Sequence, residues 1–174
     1  MATFKAFTLM TLILSCTLLI RAQESAVYAH MPDDHRQVVQ KWLAKRPFYR
    51  LATEADADAE GLEVTRQYHG TLYHPYYKTG DFNADGSDDF AVVLIDTRKH
   101  EGKHVLAIFN GQPNGESEPL PAYLKAADLD LTRGGLFYTG YGKGFRLAAG
   151  IFESDVCTGY KARGRTYIEA SCGR

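Results

Sequence analysis

Apolar residues recur along this chain in distinct rhythms, and each predicts a different element. Between Asp33 and Arg46, Val38, Val39, Trp42 and Leu43 fall at i, i+1, i+4 and i+5, one stripe of an amphipathic helix. Asp33 and Asp34 stand at the end where the helix dipole is positive. Lys41, Lys45 and Arg46 stand where it is negative, and Pro47 follows. Short apolar runs bounded by turn residues predict strands. They occur at Leu62–Tyr68, Gly70–Tyr73, Phe90–Asp96, His104–Asn110, Leu136–Thr139, Phe145–Phe152, Val156–Lys161 and Thr166–Ala170. Leu120 to Asp130 reads as a short helix or an irregular segment. Gln112 to Pro121, rich in Gly, Pro, Asn and Ser, reads as a loop. Glu54 to Glu60 alternates acid with alanine and reads as a solvated acidic loop. Strands outnumber helices and do not alternate with them. The expectation is an α+β domain, mostly antiparallel sheet with one N-terminal amphipathic helix.

The first residues follow another pattern. Lys5 precedes a run of apolar and small hydroxyl residues from Phe7 to Ile20, the length of a secretory signal core and short for a membrane span. Met1–Ala22 is therefore expected to be a signal peptide, and 23–174 one β-rich domain, secreted or periplasmic, with no membrane span of its own. A lipoprotein reading competes at Ser15-Cys16, but Leu14 fits such a site poorly and Thr17 to Ile20 carry the run onward.

The whole chain of 174 residues is 45% hydrophobic, 12% aromatic and 24% charged, with a formal net charge of -1. That composition excludes a disordered or low-complexity chain. Without Lys5 and Arg21, 18 basic side chains face 21 acidic ones, a net charge of -3. No basic excess exists to neutralise phosphates, so nucleic acid is not an expected partner. Export leaves Cys157 and Cys172 in an oxidising compartment. They bracket a hairpin pattern with Gly164-Arg165 at its midpoint, a favoured two-residue turn. Symmetric folding about that turn lays one cysteine opposite the other, where a disulfide would staple the hairpin.

The candidate chemistry lies between Gly80 and Val92. Oxygen-bearing side chains stand at loop positions 1, 3, 5 and 9: Asp81, Asn83, Asp85 and Asp89. Gly86 is at position 6, where a sharp turn needs positive φ, and Ser87 at position 7 offers a carbonyl. This is a hard-oxygen set of the kind calcium takes; the other reading is an acidic turn whose Asp and Asn side chains only cap backbone groups. Position 12 is Val92, not the bidentate Glu of an EF-hand, and a β-rich run follows directly. The stretch from His74 to Val92 resembles an FG-GAP (VCBS-type) repeat, the calcium loop of integrin-α-like propeller blades. The resemblance covers about 20 residues. Its acidic positions match at Asp81, Asn83, Asp85 and Asp89, and it implies a cation loop between strands; with the Ser87 carbonyl from the loop spacing, these residues are expected to hold one calcium ion. Ala84 departs from the resemblance, standing where glycine is common. One copy is present, and a propeller needs at least about four blades, so a full propeller is not expected.

Two other motifs lack their context. His100-Glu101-Gly102-Lys103-His104 matches the zinc-peptidase spacing, but that chemistry needs a helix, and the segment lies between two β-rich runs. A metal-dependent hydrolase using His100, Glu101 and His104 is thus a remote alternative. Gly140-Tyr141-Gly142-Lys143-Gly144 lacks the spacing of a phosphate loop. No nucleophile–base–orienter set is recognisable, so no catalytic residue is assigned. The expectation is an exported, non-catalytic calcium-binding domain of structural or binding role. The alternative is a secreted inhibitor or adhesion module that presents some of its 11 tyrosines to a protein partner.

Overall fold

The computed structural model describes residues 28–99, 103–138, 146–151 and 157–172, the side chains of 126–129 and 151 excepted. The expected signal peptide with Cys16, the pair His100 and Glu101, and the glycine-rich segment 140–144 lie outside the described residues.

Strand β3 (Asp89–Asp96) is the axis of the first sheet. Strand β4 (Lys103–Phe109) pairs antiparallel along one edge, from Phe90 opposite Phe109 to Asp96 opposite Lys103. The other edge is shared by two short strands in tandem. Strand β1 (Tyr49–Leu51) covers residues 94–96, and β2 (Tyr77–Gly80) covers residues 89–92. The seam between them is closed at Val93, whose carbonyl accepts from Ala52 N and whose N–H donates to Tyr76 O. Strand β5 (Tyr123–Leu129) completes the sheet beyond β4.

The second sheet is an antiparallel meander of β6 (Gly134–Tyr138), β7 (Leu147–Ile151), β8 (Cys157–Arg163) and β9 (Thr166–Ser171). Neither sheet closes into a barrel. Ala91, Val93 and Ile95 share one core with Leu136, Leu147, Ala149, Tyr160 and Tyr167 of the second sheet. The alternate residues Phe90, Val92 and Leu94 share another with Val39 and Trp42 of helix α1 (Asp33–Leu43). All eight residues of β3 are buried. Being covered on both faces explains why Phe90 to Ile95 are continuously apolar instead of alternating.

Helix α1 forms where its stripe predicts. The β8–β9 hairpin also has the expected register, with Arg163 opposite Thr166 and Gly164 at φ +62 in the turn. Cys157 and Cys172 are joined by a disulfide, with Cα atoms 5.4 Å apart.

The region between β1 and β2 differs from expectation. Leu62–Tyr68 is not a strand; it lies within helix α2 (Ala59–His69), a second helix. The Asp58 side chain caps it by accepting from Gly61 N at 2.9 Å, and Gly70 at φ +93 ends it. Leu62 and Thr65, three apart, are buried on one face. Gly70–Tyr73 is a turn, with Tyr73 N donating to Gly70 O. Glu54–Asp56, within the expected acidic loop, forms a short 3-10 turn. The segment around Leu120–Asp130 becomes strand β5, because β4 offers it an open edge.

Candidate metal centre

Asp81, Asn83, Asp85 and Ser87 occupy the loop of the β2–β3 hairpin, and Asp89 opens β3 opposite Gly80. Phe82, 2% exposed, plugs the loop into the core between the sheets. Gly86 takes φ +87, as position 6 requires. Ala84 takes φ +64, a conformation costing an L-residue about 1–2 kcal/mol.

The side-chain oxygens of Asp81, Asn83 and Asp85 turn onto one short run of loop amides. Asp81 Oδ1 and Asn83 Oδ1 accept from Asp85 N at 3.0 and 2.9 Å. Asp81 Oδ2 accepts from Gly86 N at 3.2 Å, and Asp85 Oδ1 accepts from Ser87 N at 2.8 Å. The Ser87 N–H bond holds the Asp85 carboxyl below its ordinary range, helped by Asn83. Three oxygen-bearing side chains thus fold inward over the loop instead of radiating into water. Each ionised carboxylate retains lone pairs beyond those bonds.

Asp89 is built differently. It is fully buried. Its Oδ2 accepts from Phe82 N at 2.7 Å, Asn83 N at 3.1 Å and the Tyr167 hydroxyl at 3.3 Å, and its Oδ1 accepts from Gly111 N at 2.9 Å. Burial pushes this carboxyl up from its ordinary range, against the pull of the three backbone N–H groups. Asp89 therefore ties the loop to the β4–β5 connection and to β9. Gly111 must be glycine for this approach, since a Cβ there would lie 2.2 Å from Asp88 O.

Arg146, just before β7, adds a cation. One guanidinium nitrogen donates to Asp81 O at 3.0 Å and to Asp81 Oδ2 at 3.2 Å. Sequence reading missed Arg146, Gly111 and Tyr167. They lie 65, 22 and 78 residues from the loop residues they meet, and no local signal marks them.

The donor set fits a hard cation in kind, since it is entirely oxygen. Among the described residues, no three His, Cys, Asp or Glu side chains form a group able to hold a metal. Asp81, Asp85 and Asp89 thus do not converge as a three-carboxylate group: Asp81 and Asp85 turn onto the loop amides beside the Asn83 amide oxygen, while both Asp89 oxygens are held by Phe82 N, Asn83 N, Gly111 N and the Tyr167 hydroxyl. The alternative zinc constellation has a different setting. Lys103 and His104 open strand β4, and His104 is buried with its Nδ1 accepting from Leu131 N at 3.2 Å.

Comparison with known proteins finds no matching family model, no matching curated protein and no matching solved structure.

Proposed function

We propose that the protein is an exported, non-catalytic domain that binds one calcium ion in the β2–β3 loop and uses it to hold the hairpin against the second sheet. The observation that carries this reading is the turn of Asp81, Asn83 and Asp85 onto one short run of loop amides, from Asp85 N to Ser87 N. Asp81, Asn83 and Asp85 would supply side-chain oxygens and Ser87 its carbonyl, while Asp89 closes the floor. Calcium takes about six to eight oxygens, and water completes such a set. Bound calcium would add to the Arg146 guanidinium that offsets Asp81.

Export is supported by the apolar N-terminal run and by the Cys157–Cys172 disulfide, which suits an oxidising compartment. Among the described residues, no helix is long and apolar enough to cross a membrane.

Extracellular calcium modules bind at about 10⁻⁴–10⁻³ M. A ligand at 100 times its Kd stabilises the folded state by about 2.7 kcal/mol. Thermal melts of the protein in excess chelator and in a calcium series check the reading. The melting temperature should rise with calcium, and Asp81→Ala or Asp85→Ala should abolish the rise. If both variants respond as fully as the wild type, the loop is not the calcium site.

A further inference from the structure

A cavity of about 260 Å³ lies over the seam between β1 and β2, away from the calcium loop. It exists because both strands pair with the same edge of β3, and the chain between them detours through the 3-10 turn and α2. Tyr28, Met31, Leu51, Tyr76 and Tyr77 form its walls. The tyrosine hydroxyls are engaged elsewhere. Tyr28 donates to Leu51 O at 3.3 Å, Tyr76 donates to Leu131 O at 2.9 Å, and Tyr77 pairs with His35 Nδ1 at 2.8 Å. What remains for an occupant is ring surface, a thioether and aliphatic carbon, which favour a flat aromatic molecule over a sugar or an anion.

The polar part of the lining is equally particular. His30 and His74 stack with ring centroids 3.7 Å apart and planes 11° apart, and both line the cavity with Glu54. The Glu54 carboxylate is paired with Arg66, and His74 Nδ1 lies 3.1 Å from its Oε1. A carboxylate can only accept, so Nδ1 carries a proton, and in the neutral tautomer that pairs this way Nε2 offers a lone pair. Burial pushes the His30 imidazolium down, as does the neighbouring His74.

We propose that this cavity is a binding site for a small, neutral, fused-ring aromatic molecule bearing one N–H or O–H donor, which His74 Nε2 accepts. The size agrees: an apolar cavity of about 150 Å³ holds benzene, and 260 Å³ leaves room for a second fused ring. Glu54 and Arg66 position His74 and fix its tautomer.

The test uses two probes of one shape. Indole carries an N–H donor, and benzofuran replaces it with an ether oxygen. Both are titrated into the isotope-labelled protein, disulfide intact, and followed by amide chemical shifts. Indole should shift the signals of cavity-lining residues saturably, and benzofuran should bind at least about tenfold more weakly, the factor that about 1.4 kcal/mol represents. His74→Phe, which keeps an aromatic ring against His30, should weaken indole to the level of benzofuran and leave benzofuran unchanged. Ala55→Trp, at an exposed rim position, should block both. The proposal is overturned if indole produces no saturable shift, if benzofuran binds the wild type as tightly as indole, or if His74→Phe leaves indole binding intact. None of these outcomes bears on the calcium loop, whose melts are read separately.

Discussion

Replacing Asp89 by Ala tests whether this carboxylate is the tie between the loop and the rest of the domain. The substitution removes the acceptor of Phe82 N, Asn83 N and Gly111 N. Asn83 is half-buried, so water can take its N–H. Phe82 and Gly111 are buried, and each orphaned buried donor costs about 1–3 kcal/mol. Tyr167 keeps a partner, because its hydroxyl also donates to Asn110 Oδ1 at 2.8 Å. Two orphans sum to about 2–6 kcal/mol, and relief from burying a charge offsets part of it, leaving about 3 kcal/mol. For a domain of this size, that is a fall of about 6–12 °C in melting temperature. Urea unfolding and thermal melts in chelator would measure it without any contribution from an ion. The neighbouring Asp88→Ala is the control, since Asp88 is exposed, and it should stay within about 0.5 kcal/mol of wild type. Equal effects of the two substitutions would refute the argument that Asp89 holds the loop.

Three further outcomes are expected. Ala84→Gly should stabilise the protein by about 1 kcal/mol, because φ +64 costs glycine nothing; a rise of about 2–4 °C in the melting temperature checks it. His35 is buried against Phe90 with ring centroids 4.0 Å apart, and burial lowers its pKa from 6.5. The fold thus prefers the neutral ring. Its contribution is complete above pH 6.5 and is lost as pH falls from 6.5 through the lower folded value. His30 shifts in the same direction, so His35→Phe should flatten part, and not all, of the decline in melting temperature between pH 7.5 and 5. Replacing Cys157 and Cys172 together by Ser should cost about 3 kcal/mol by loop entropy, read as a lower urea midpoint that reductant does not lower further.

Local pattern carried the elements whose environment is simple. The stripe of Val38, Val39, Trp42 and Leu43 needs only one apolar surface, and α1 forms over it. Within the runs Phe90–Asp96 and His104–Asn110, Phe90 to Ile95 and Val105 to Phe109 are continuously apolar because β3 and β4 are covered on both faces. Gly164 marks its turn, and the hairpin symmetry about it brings Cys157 to Cys172. The spacing of Asp81, Asn83, Asp85, Ser87 and Asp89 marked a loop in which Asp81, Asn83 and Asp85 turn onto the amides of Asp85, Gly86 and Ser87. The strand reading of Leu62–Tyr68 failed because Leu62, Val64 and the β-branched Thr65 imitate a strand's alternation, while the Asp58 cap and Gly70 stop frame a helix.

Tertiary structure alone decided the rest, because those features depend on partners distant in the chain. Leu124, Lys125 and Ala126 have no strong strand preference of their own; the open edge of β4 makes them a strand. Gly111 reaches Asp89 through the pairing of β4 with β3, and Arg146 and Tyr167 reach the loop only after the second sheet has packed on the first. The cavity arises only when two half-strands meet end to end on β3. Short-range periodicity fixes which residues face a core, whereas a site assembled from several segments depends on how those segments dock, a long-range free energy that no single window of sequence contains.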